Sequence, residues 1–201
     1  MLEGDLSVPA DAKGLVLFTH GSGSSRHSPR NQFVAGVLQE SSIATLLLDL
    51  LTKEEEDEDY YTGHLRFDID LLARRLIHAT HAMEHEPEVQ RLRMGFFGSS
   101  TGGGAALVAA AELGDQIGAV VSRGGRPDLA GQSLRQVSAP TLLIVGSEDP
   151  IVIQMNEQAL RALPGEKALR MVSGAGHLFE EPGTLDLVAD LAAAWFVEHL
   201  R

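Results

Sequence analysis

Apolar, β-branched runs alternate along the chain with longer segments of helical periodicity, and this alternation restricts the possible folds more than any other feature. The runs predicted to be strands are GLVLFTH, SIATLLLDL, RMGFFG, IGAVVS, APTLLIVG and KALRMVSG. Helices are predicted between them at about 30–40, 66–85, 102–113, 153–163 and 184–200. Because the strand segments are almost wholly apolar, both faces of each should be buried. The sequence therefore predicts the α/β class, with a mainly parallel sheet and helices on both faces.

Length and composition favour one domain. The chain has 201 residues, of which 44% are hydrophobic and 22% charged. Its sequence contains no internal repeat or low-complexity linker that would divide it. We expect a single domain over residues 1–201, with an extra edge strand near residues 2–8. The acidic run KEEEDEDYY is expected to be a solvated loop.

Charge and the absence of cysteine exclude several classes of function. Sixteen basic and 28 acidic residues give a formal net charge of −12, which opposes general binding to nucleic acid or to anionic membranes. With no cysteine, the chain has no disulfide, no cysteine metal ligand and no cysteine nucleophile. No apolar run approaches the roughly 20 residues that span a bilayer, and the first residues do not read as a signal peptide. We therefore expect a cytoplasmic protein.

The functional site is expected where the strands end. In an open parallel sheet, ligands bind beyond the carboxyl ends of the strands. The segments that follow the predicted strands are HGSGSSRHSPR, GSSTGGG, SRGGRPD, GSEDP and GAGH. All are rich in glycine and polar residues.

One strand end carries a serine with glycine two residues before and two residues after it. Ser100 is flanked in this way by Gly98 and Gly102, whereas Ser99 and Ser122 are not. A serine on a sharp strand-to-helix turn needs small residues at both positions, because the strand and helix backbones crowd there. The spacing predicts Ser100 as a nucleophile, and an ordinary glycine-rich turn is the alternative.

Two later strand ends supply the partners that such a serine requires. A serine hydroxyl needs a base within hydrogen-bond reach and a carboxylate that orients the base. Asp149 lies in LLIVGSEDP and His177 in VSGAGHLFE, which gives the chain order Ser, Asp, His. Each residue alone could be an ordinary loop residue. Together with Ser100, they predict a catalytic triad.

These segments resemble the α/β hydrolase fold, and more narrowly the dienelactone hydrolase-like group of small serine esterases. The resemblance rests on LFTHGSGSSRHSPRN, GFFGSSTGGGAALVAAAEL, SRGGRPDLAG, APTLLIVGSEDP and SGAGHLFEEPG, in that order. It implies that Ser100 is the nucleophile, His177 the general base and then the acid, and Asp149 the orienting carboxylate. Dienelactone hydrolases proper carry a cysteine at the elbow, which this chain lacks. Esters, lactones or thioesters in general are thus the expected substrates.

Two backbone N–H groups are expected to stabilise the oxyanion of the reaction. Thr101 follows the nucleophile at the start of a helix, where free N–H groups favour negative charge. The second donor should come from the loop after LVLFTHG, which resembles the family's oxyanion loop, with Ser22 preferred and Gly23 in reserve. His20 opens this loop and is expected to brace it rather than act as the base.

Arginines at two strand ends are candidates for substrate binding. The basic residues there are Arg26, His27, Arg30, Arg123 and Arg126. A guanidinium pairs well with a carboxylate or a phosphate, so Arg26 and Arg123 could bind an anionic group of the substrate. The alternative is that they form ion pairs that fix the loops.

No cofactor or metal is expected. GSGSSR lacks the third glycine of a dinucleotide fingerprint, and no GK[ST] follows it. His78, His81 and His85 share a helix face that we expect to be solvated. The segment 122–140 is too short for a cap domain, so the pocket should be open and bordered by residues 50–65. The aromatic and histidine residues of that border are Tyr60, Tyr61 and His64, for which a surface-loop role is the alternative.

The sequence thus predicts a hydrolase of small carboxylic esters or lactones that works through an acyl-serine intermediate. The same residues could serve a thioesterase or an acyltransferase. A catalytically silent interaction domain is the alternative from another class, since members of the resembled family also occur joined to phosphoribosyltransferase domains. The expected partner is a small molecule, which the strand-end arginines would allow to be anionic. The oligomeric state is not readable from the sequence.

Overall fold

The computed structural model describes residues 2–201, in which seven strands form one sheet with the order β1-β3-β2-β4-β5-β6-β7. The strands are β1 Gly4–Ser7, β2 Gly14–Thr19, β3 Ile43–Leu48, β4 Arg93–Ser99, β5 Ile117–Arg123, β6 Thr141–Gly146 and β7 Lys167–Val172. Strand β1 is antiparallel to β3, and all other neighbours are parallel. The mainly parallel sheet is thereby confirmed, and the edge strand expected near residues 2–8 is β1.

Helices cover both faces of the sheet. The α-helices are α1 Pro29–Glu40, α2 Lys53–Thr62, α3 Ile69–Met83, α4 Thr101–Leu113, α5 Pro150–Ala162 and α6 Thr184–His199. Leu15 and Leu17 of β2 point to the face covered by α3, α4 and α5, whereas Val16 and Phe18 point to the face covered by α1 and α6. This alternation explains the continuous apolar runs, because successive side chains enter two different cores.

One helix was not predicted. The run KEEEDEDYY, expected to be a loop, forms α2. Thr52 caps this helix and accepts the N–H of Glu55, while the Glu55 carboxylate accepts the N–H of Thr52, which is a capping box. Acidic residues in the first turn also suit the positive end of the helix dipole. Local capping therefore outweighs the polar composition that indicated a loop.

The connections leave the carboxyl ends of the strands open. Strands β5 and β6 are joined through the 3-10 segment Pro127–Gln136, without a cap domain between them. Because β2, β4, β5, β6 and β7 are parallel, the loops that follow them lie at one edge of the sheet. None of the helices within residues 2–201 has the length and apolar composition that a bilayer crossing requires.

An ion pair ties α2 to α3. Arg75 donates to the Glu55 carboxylate and, at 2.7 Å, to the carbonyl oxygen of Leu50. The hydrogen bonds from Arg75 lower the pKa of Glu55 from 4.5 to about 2, against the burial that would raise it. Glu55 is therefore ionised in the folded protein at neutral pH.

Replacing Glu55 with glutamine should lower the free energy of unfolding by about 1–2 kcal/mol at neutral pH, which allows for screening by solvent. Because the pKa of Glu55 is lower in the folded state, its stabilisation is complete above about pH 4.5 and is lost as the pH falls towards 2. The difference from the parent protein should therefore shrink in acid. Urea unfolding at several pH values measures this, with the exposed Glu58→Gln as the control. An equal loss for both variants would contradict the assignment.

Candidate active site

Ser100 lies where β4 turns into α4, in a backbone conformation that is rare for a residue with a side chain. Its φ is 50° and its ψ is −122°. A Cβ on Gly98 would lie 2.6 Å from the Gly102 carbonyl oxygen, and one on Gly102 would lie 2.3 Å from the Thr19 carbonyl oxygen. Only glycine fits at either position. Such a conformation costs about 1–3 kcal/mol and persists only where the surrounding structure fixes it.

Backbone hydrogen bonds hold this turn in place. The Ser100 N–H donates to the Arg123 carbonyl oxygen at 3.3 Å, and the Ser100 carbonyl oxygen accepts the Arg126 N–H at 3.0 Å. The end of β5 therefore supports the turn that follows β4.

His177 and Asp149 are paired. His177 Nδ1 lies 2.7 Å from Asp149 Oδ2. Because a carboxylate can only accept, Nδ1 carries the proton and Nε2 is left with a free lone pair. Asp149 also caps α5, since its Oδ1 accepts the Val152 N–H at 3.4 Å. The cap and the imidazole together fix the carboxylate.

Ser100 and His177 line the same cavity, of about 240 Å³. Within residues 2–201 no hydrogen bond joins Ser100 Oγ to the imidazole. Such bonds are often long before substrate binds and tighten in the complex. The structure thus brings together all three residues of the predicted triad, two of them facing one cavity and the third bonded to the imidazole.

Two backbone N–H groups beside Ser100 are available to a ligand. The N–H groups of Ser22 and Thr101 donate no hydrogen bond to any of residues 2–201. Ser22 lines the cavity of Ser100, and Thr101 is the first residue of α4. A Cβ on Gly21 would lie 3.1 Å from Ser100 Cβ, so the loop of Ser22 passes directly beside the serine side chain.

His20 holds this loop in place through both of its ring nitrogens. Its Nε2 accepts the Leu50 N–H at 3.2 Å, and its Nδ1 contacts the Gly21 carbonyl oxygen at 2.9 Å. Burial lowers the pKa of His20, which favours the neutral ring. Both ring nitrogens are occupied by hydrogen bonds, so His20 positions the loop and does not line the cavity of Ser100.

The two candidate substrate-binding arginines lie in different surroundings. Arg26 forms ion pairs with Glu3 at 2.6 Å, with Asp5 at 3.4 Å and with Asp49. It does not line the cavity of Ser100. For Arg26 the structure therefore matches the alternative of an ion pair that fixes loops.

Arg123 lines the cavity of Ser100 and is only 6% exposed. Its Nη2 donates to Ser99 Oγ at 2.9 Å and to Asn31 Oδ1 at 3.4 Å, and its guanidinium carbon lies 5.7 Å from the centre of the Phe179 ring. Among residues 2–201 no carboxylate pairs with it, and its buried Nε has no partner. Burial and the charge of Arg30 lower the pKa of Arg123 to about 10.

Sequence reasoning missed the residues that hold Arg123. Asn31 and Ser99 bond to each other at 3.1 Å as well as to the guanidinium. Phe179 packs beneath it with a φ of 55°, which is again rare for a residue with a side chain. Asn31 directly follows Arg30 in SPRN, but nothing in that segment indicates a contact with the ends of β4 and β5.

A second cavity, of about 460 Å³, shares the Ser22 loop with the cavity of Ser100. Tyr60 lines this cavity, whereas Tyr61 and His64 do not. None of residues 50–65, expected to border the pocket, lines the cavity of Ser100. No group of three histidine, aspartate or glutamate side chains in residues 2–201 is arranged to hold a metal ion.

Comparison with known proteins identifies the family to which this chain belongs. A dienelactone hydrolase from Anabaena variabilis is 60% identical in sequence, with a TM-score of 0.98 over 100% of this chain and 93% of that chain. Est1E from Butyrivibrio proteoclasticus is 16% identical, with a TM-score of 0.81 over 98% of this chain and 93% of that chain, a likeness that shows the fold alone.

Two sequences from Mycobacterium tuberculosis strains, each named "Putative phosphoribosyl transferase", are 56% identical over 197 residues. The match covers 98% of this chain but only 44% of theirs. The sequence model of the dienelactone hydrolase family matches residues 44–195. The chain belongs to the dienelactone hydrolase family and has the α/β hydrolase fold.

Proposed function

We propose that this chain is a serine hydrolase that cleaves small carboxylic esters or lactones through an acyl-serine intermediate. The observation that carries the proposal is the pairing of His177 with Asp149 at 2.7 Å beside the cavity that His177 shares with Ser100. The positive φ of Ser100, which exposes its side chain on a sharp turn, supports it. Membership of a family of hydrolases supports it independently.

In the proposed reaction, Ser100 Oγ attacks the substrate carbonyl carbon and gives its proton to His177 Nε2. Asp149 stabilises the imidazolium that forms. The imidazolium then protonates the leaving oxygen, the carbon–oxygen bond breaks, and the acyl group remains on Ser100. A water molecule, deprotonated by His177, then attacks the acyl carbon. The bond between that carbon and Ser100 Oγ breaks, the imidazolium returns its proton to Oγ, and the acid is released.

The N–H groups of Ser22 and Thr101 would donate hydrogen bonds to the carbonyl oxygen and stabilise the negative charge that develops on it. Each such donor contributes about 3–4 kcal/mol to lowering the barrier. Both are backbone groups, so their positions depend on the glycine-rich turn and the braced loop. The first turn of α4 adds the favourable end of its dipole.

Labelling with a fluorophosphonate, followed by mass spectrometry, tests the proposal. We expect one covalent adduct on Ser100 and hydrolysis of short-chain aryl esters.

A second candidate function is that of a catalytically silent interaction domain within a longer protein, which the 44% coverage of the Mycobacterium tuberculosis relatives favours. Folded protein that takes no label on Ser100 and ignores aryl esters would support that second candidate.

We further propose that the substrate carries an anionic group that Arg123 binds. A buried guanidinium without a counter-charge is costly, and an anion in the cavity would remove that cost. Arg30 lines the same cavity but pairs with Glu180 at 2.9 Å, so Arg123 is the guanidinium there that has no carboxylate partner among residues 2–201.

Replacing Arg123 with methionine should therefore reduce kcat/KM for a carboxylate-bearing ester by about 10–100-fold, the effect of losing a hydrogen bond to a charged group. The uncharged analogue of the same ester should change much less. Steady-state kinetics on the pair of esters measures the effect. Arg126→Met is the matched control, because Arg126 pairs with Asp128 at 2.8 Å and does not line the cavity. An unchanged preference between the two esters in the Arg123 variant would rule the role out.

A further inference from the structure

The larger cavity and the cavity of His177 are neighbours that share one loop as a wall. Both are lined by Gly21, Ser22 and Ser24. The larger cavity is otherwise bounded on the side of α2 and α3, by residues that include Leu51, Tyr60 and Leu72. The smaller cavity is bounded on the side of α1, by residues that include Asn31. Ser100 lines the smaller cavity, and the next residue, Thr101, lines the larger one.

The proposed oxyanion donors lie at the border between the two cavities. Ser22 lines both, and Thr101 lines the larger one. A carbonyl oxygen that accepts from both N–H groups would lie at this border, so that each cavity can take one half of the substrate. His177 lines only the smaller cavity and must protonate the leaving oxygen. The leaving half therefore belongs to the smaller cavity, and the acyl half to the larger.

From this geometry we infer that the larger cavity is the acyl-binding subsite, which takes an uncharged acyl group with an apolar body. The inference rests on the proposed function. A cavity of about 460 Å³ accommodates an aromatic ring or a chain of about six carbons. Leu51, Leu72 and the ring of Tyr60 supply apolar surface. The Thr101 hydroxyl is buried and has no hydrogen-bond partner in residues 2–201, so it would donate to one oxygen of the acyl group.

The charged side chains around this cavity do not favour an anionic acyl group. Arg66 is neutralised by the buried Asp59. Its Nε donates to the Asp59 carboxylate, and its Nη2 donates to the Asp59 carbonyl oxygen at 2.7 Å. Glu56 also lines the cavity, and an acyl carboxylate would meet its negative charge. The two cavities thus differ in chemistry, since the smaller one carries the unpaired Arg123.

The wall made by α2 is fixed close to the Ser22 loop. The Asp59 carboxylate accepts the N–H of Leu65 at 2.6 Å, which joins the end of α2 to the following 3-10 turn. Arg66 Nη1 lies 3.6 Å from the position of a Cβ on Gly23. The end of α2, which carries Tyr60, is therefore held close to the Ser22 loop.

Hydrolysis of p-nitrophenyl esters with acyl chains from acetyl to octanoyl tests the assignment. In the parent protein, kcat/KM should rise about threefold to fourfold per methylene until the cavity is filled. Tyr60→Ala should lower kcat/KM for the octanoyl ester by about fivefold or more and change the acetyl ester less than about twofold. Tyr61→Ala is the matched control, because Tyr61 is 86% exposed, as Tyr60 is 78% exposed, but does not line the cavity.

A second series varies the alcohol half of uncharged acetate esters. Tyr60→Ala should have no effect that grows with the size of the alcohol. If the acetyl ester is hydrolysed but the Tyr60 effect follows the alcohol or is the same for every acyl length, the subsite assignment is overturned and the proposed function stands. If no ester is hydrolysed and Ser100 takes no fluorophosphonate label, the proposed function falls and the subsite falls with it.

Discussion

Replacing Ser100 with alanine is expected to reduce kcat for ester hydrolysis by about 10⁴-fold or more while leaving the fold intact. The proposed acyl bond forms on Ser100 Oγ, and no other hydroxyl occupies the turn with a positive φ. Alanine has the same backbone requirement as serine in this conformation, so the substitution removes the nucleophile without a new steric conflict. Initial rates on a short-chain aryl ester, with circular dichroism and urea unfolding as checks on folding, measure the outcome.

The neighbouring serine gives a matched control for this experiment. Ser99 lines the same cavity, but its hydroxyl donates to Asn31 and accepts from Arg123. Ser99→Ala should keep activity on an uncharged ester within about tenfold, since the change removes a partner of the guanidinium and not the nucleophile. A Ser99 variant without activity beside an active Ser100 variant would mean that the nucleophile has been wrongly assigned.

Replacing Asp149 with asparagine should lower kcat by about 10³–10⁴-fold. An asparagine that donates from its amide would require His177 Nδ1 to accept, so that the proton would move to Nε2. The imidazole could then no longer take the proton of Ser100. Asparagine remains a good N-cap, so α5 should keep its first turn and the thermal midpoint should change little.

Comparing kcat with the thermal midpoint separates chemistry from stability in this variant. Glu148→Gln is the matched control, since Glu148 is the exposed acidic neighbour and its carboxylate accepts, within residues 2–201, only from Ser147 Oγ, at 3.1 Å. We expect the control to retain nearly full activity. If Asp149→Asn also keeps kcat within about tenfold, its pairing with His177 is structural and another group orients the base.

The fold could be predicted because the five strands β2 to β6 are apolar runs, whereas the edge strands β1 and β7 are largely exposed. The placement of Ser100, Asp149 and His177 at three strand ends followed from the same pattern, since parallel strands bring their carboxyl ends to one edge. The backbone conformation of Ser100 was also readable, because the glycines on either side are needed only where two backbones touch.

The sequence could not distinguish Arg26 from Arg123. Both follow strands, and only the tertiary structure shows that β1, antiparallel to β3, brings Glu3 and Asp5 to Arg26. Arg123 meets no carboxylate among residues 2–201 because it enters the core beside Phe179. Helix α2, in contrast, had a readable signal in the spacing of Thr52 and Glu55, which its acidic composition concealed.

The two cavities beside the Ser22 loop draw their remaining walls from separate parts of the chain. Leu51, Tyr60 and Leu72 belong to one stretch between β3 and the middle of α3, whereas Asn31 and Arg123 come from α1 and β5. Exchanging the first stretch between relatives would leave the second wall and the nucleophile turn untouched. Selectivity towards either half of a substrate can consequently diverge in evolution, or be engineered, one half at a time.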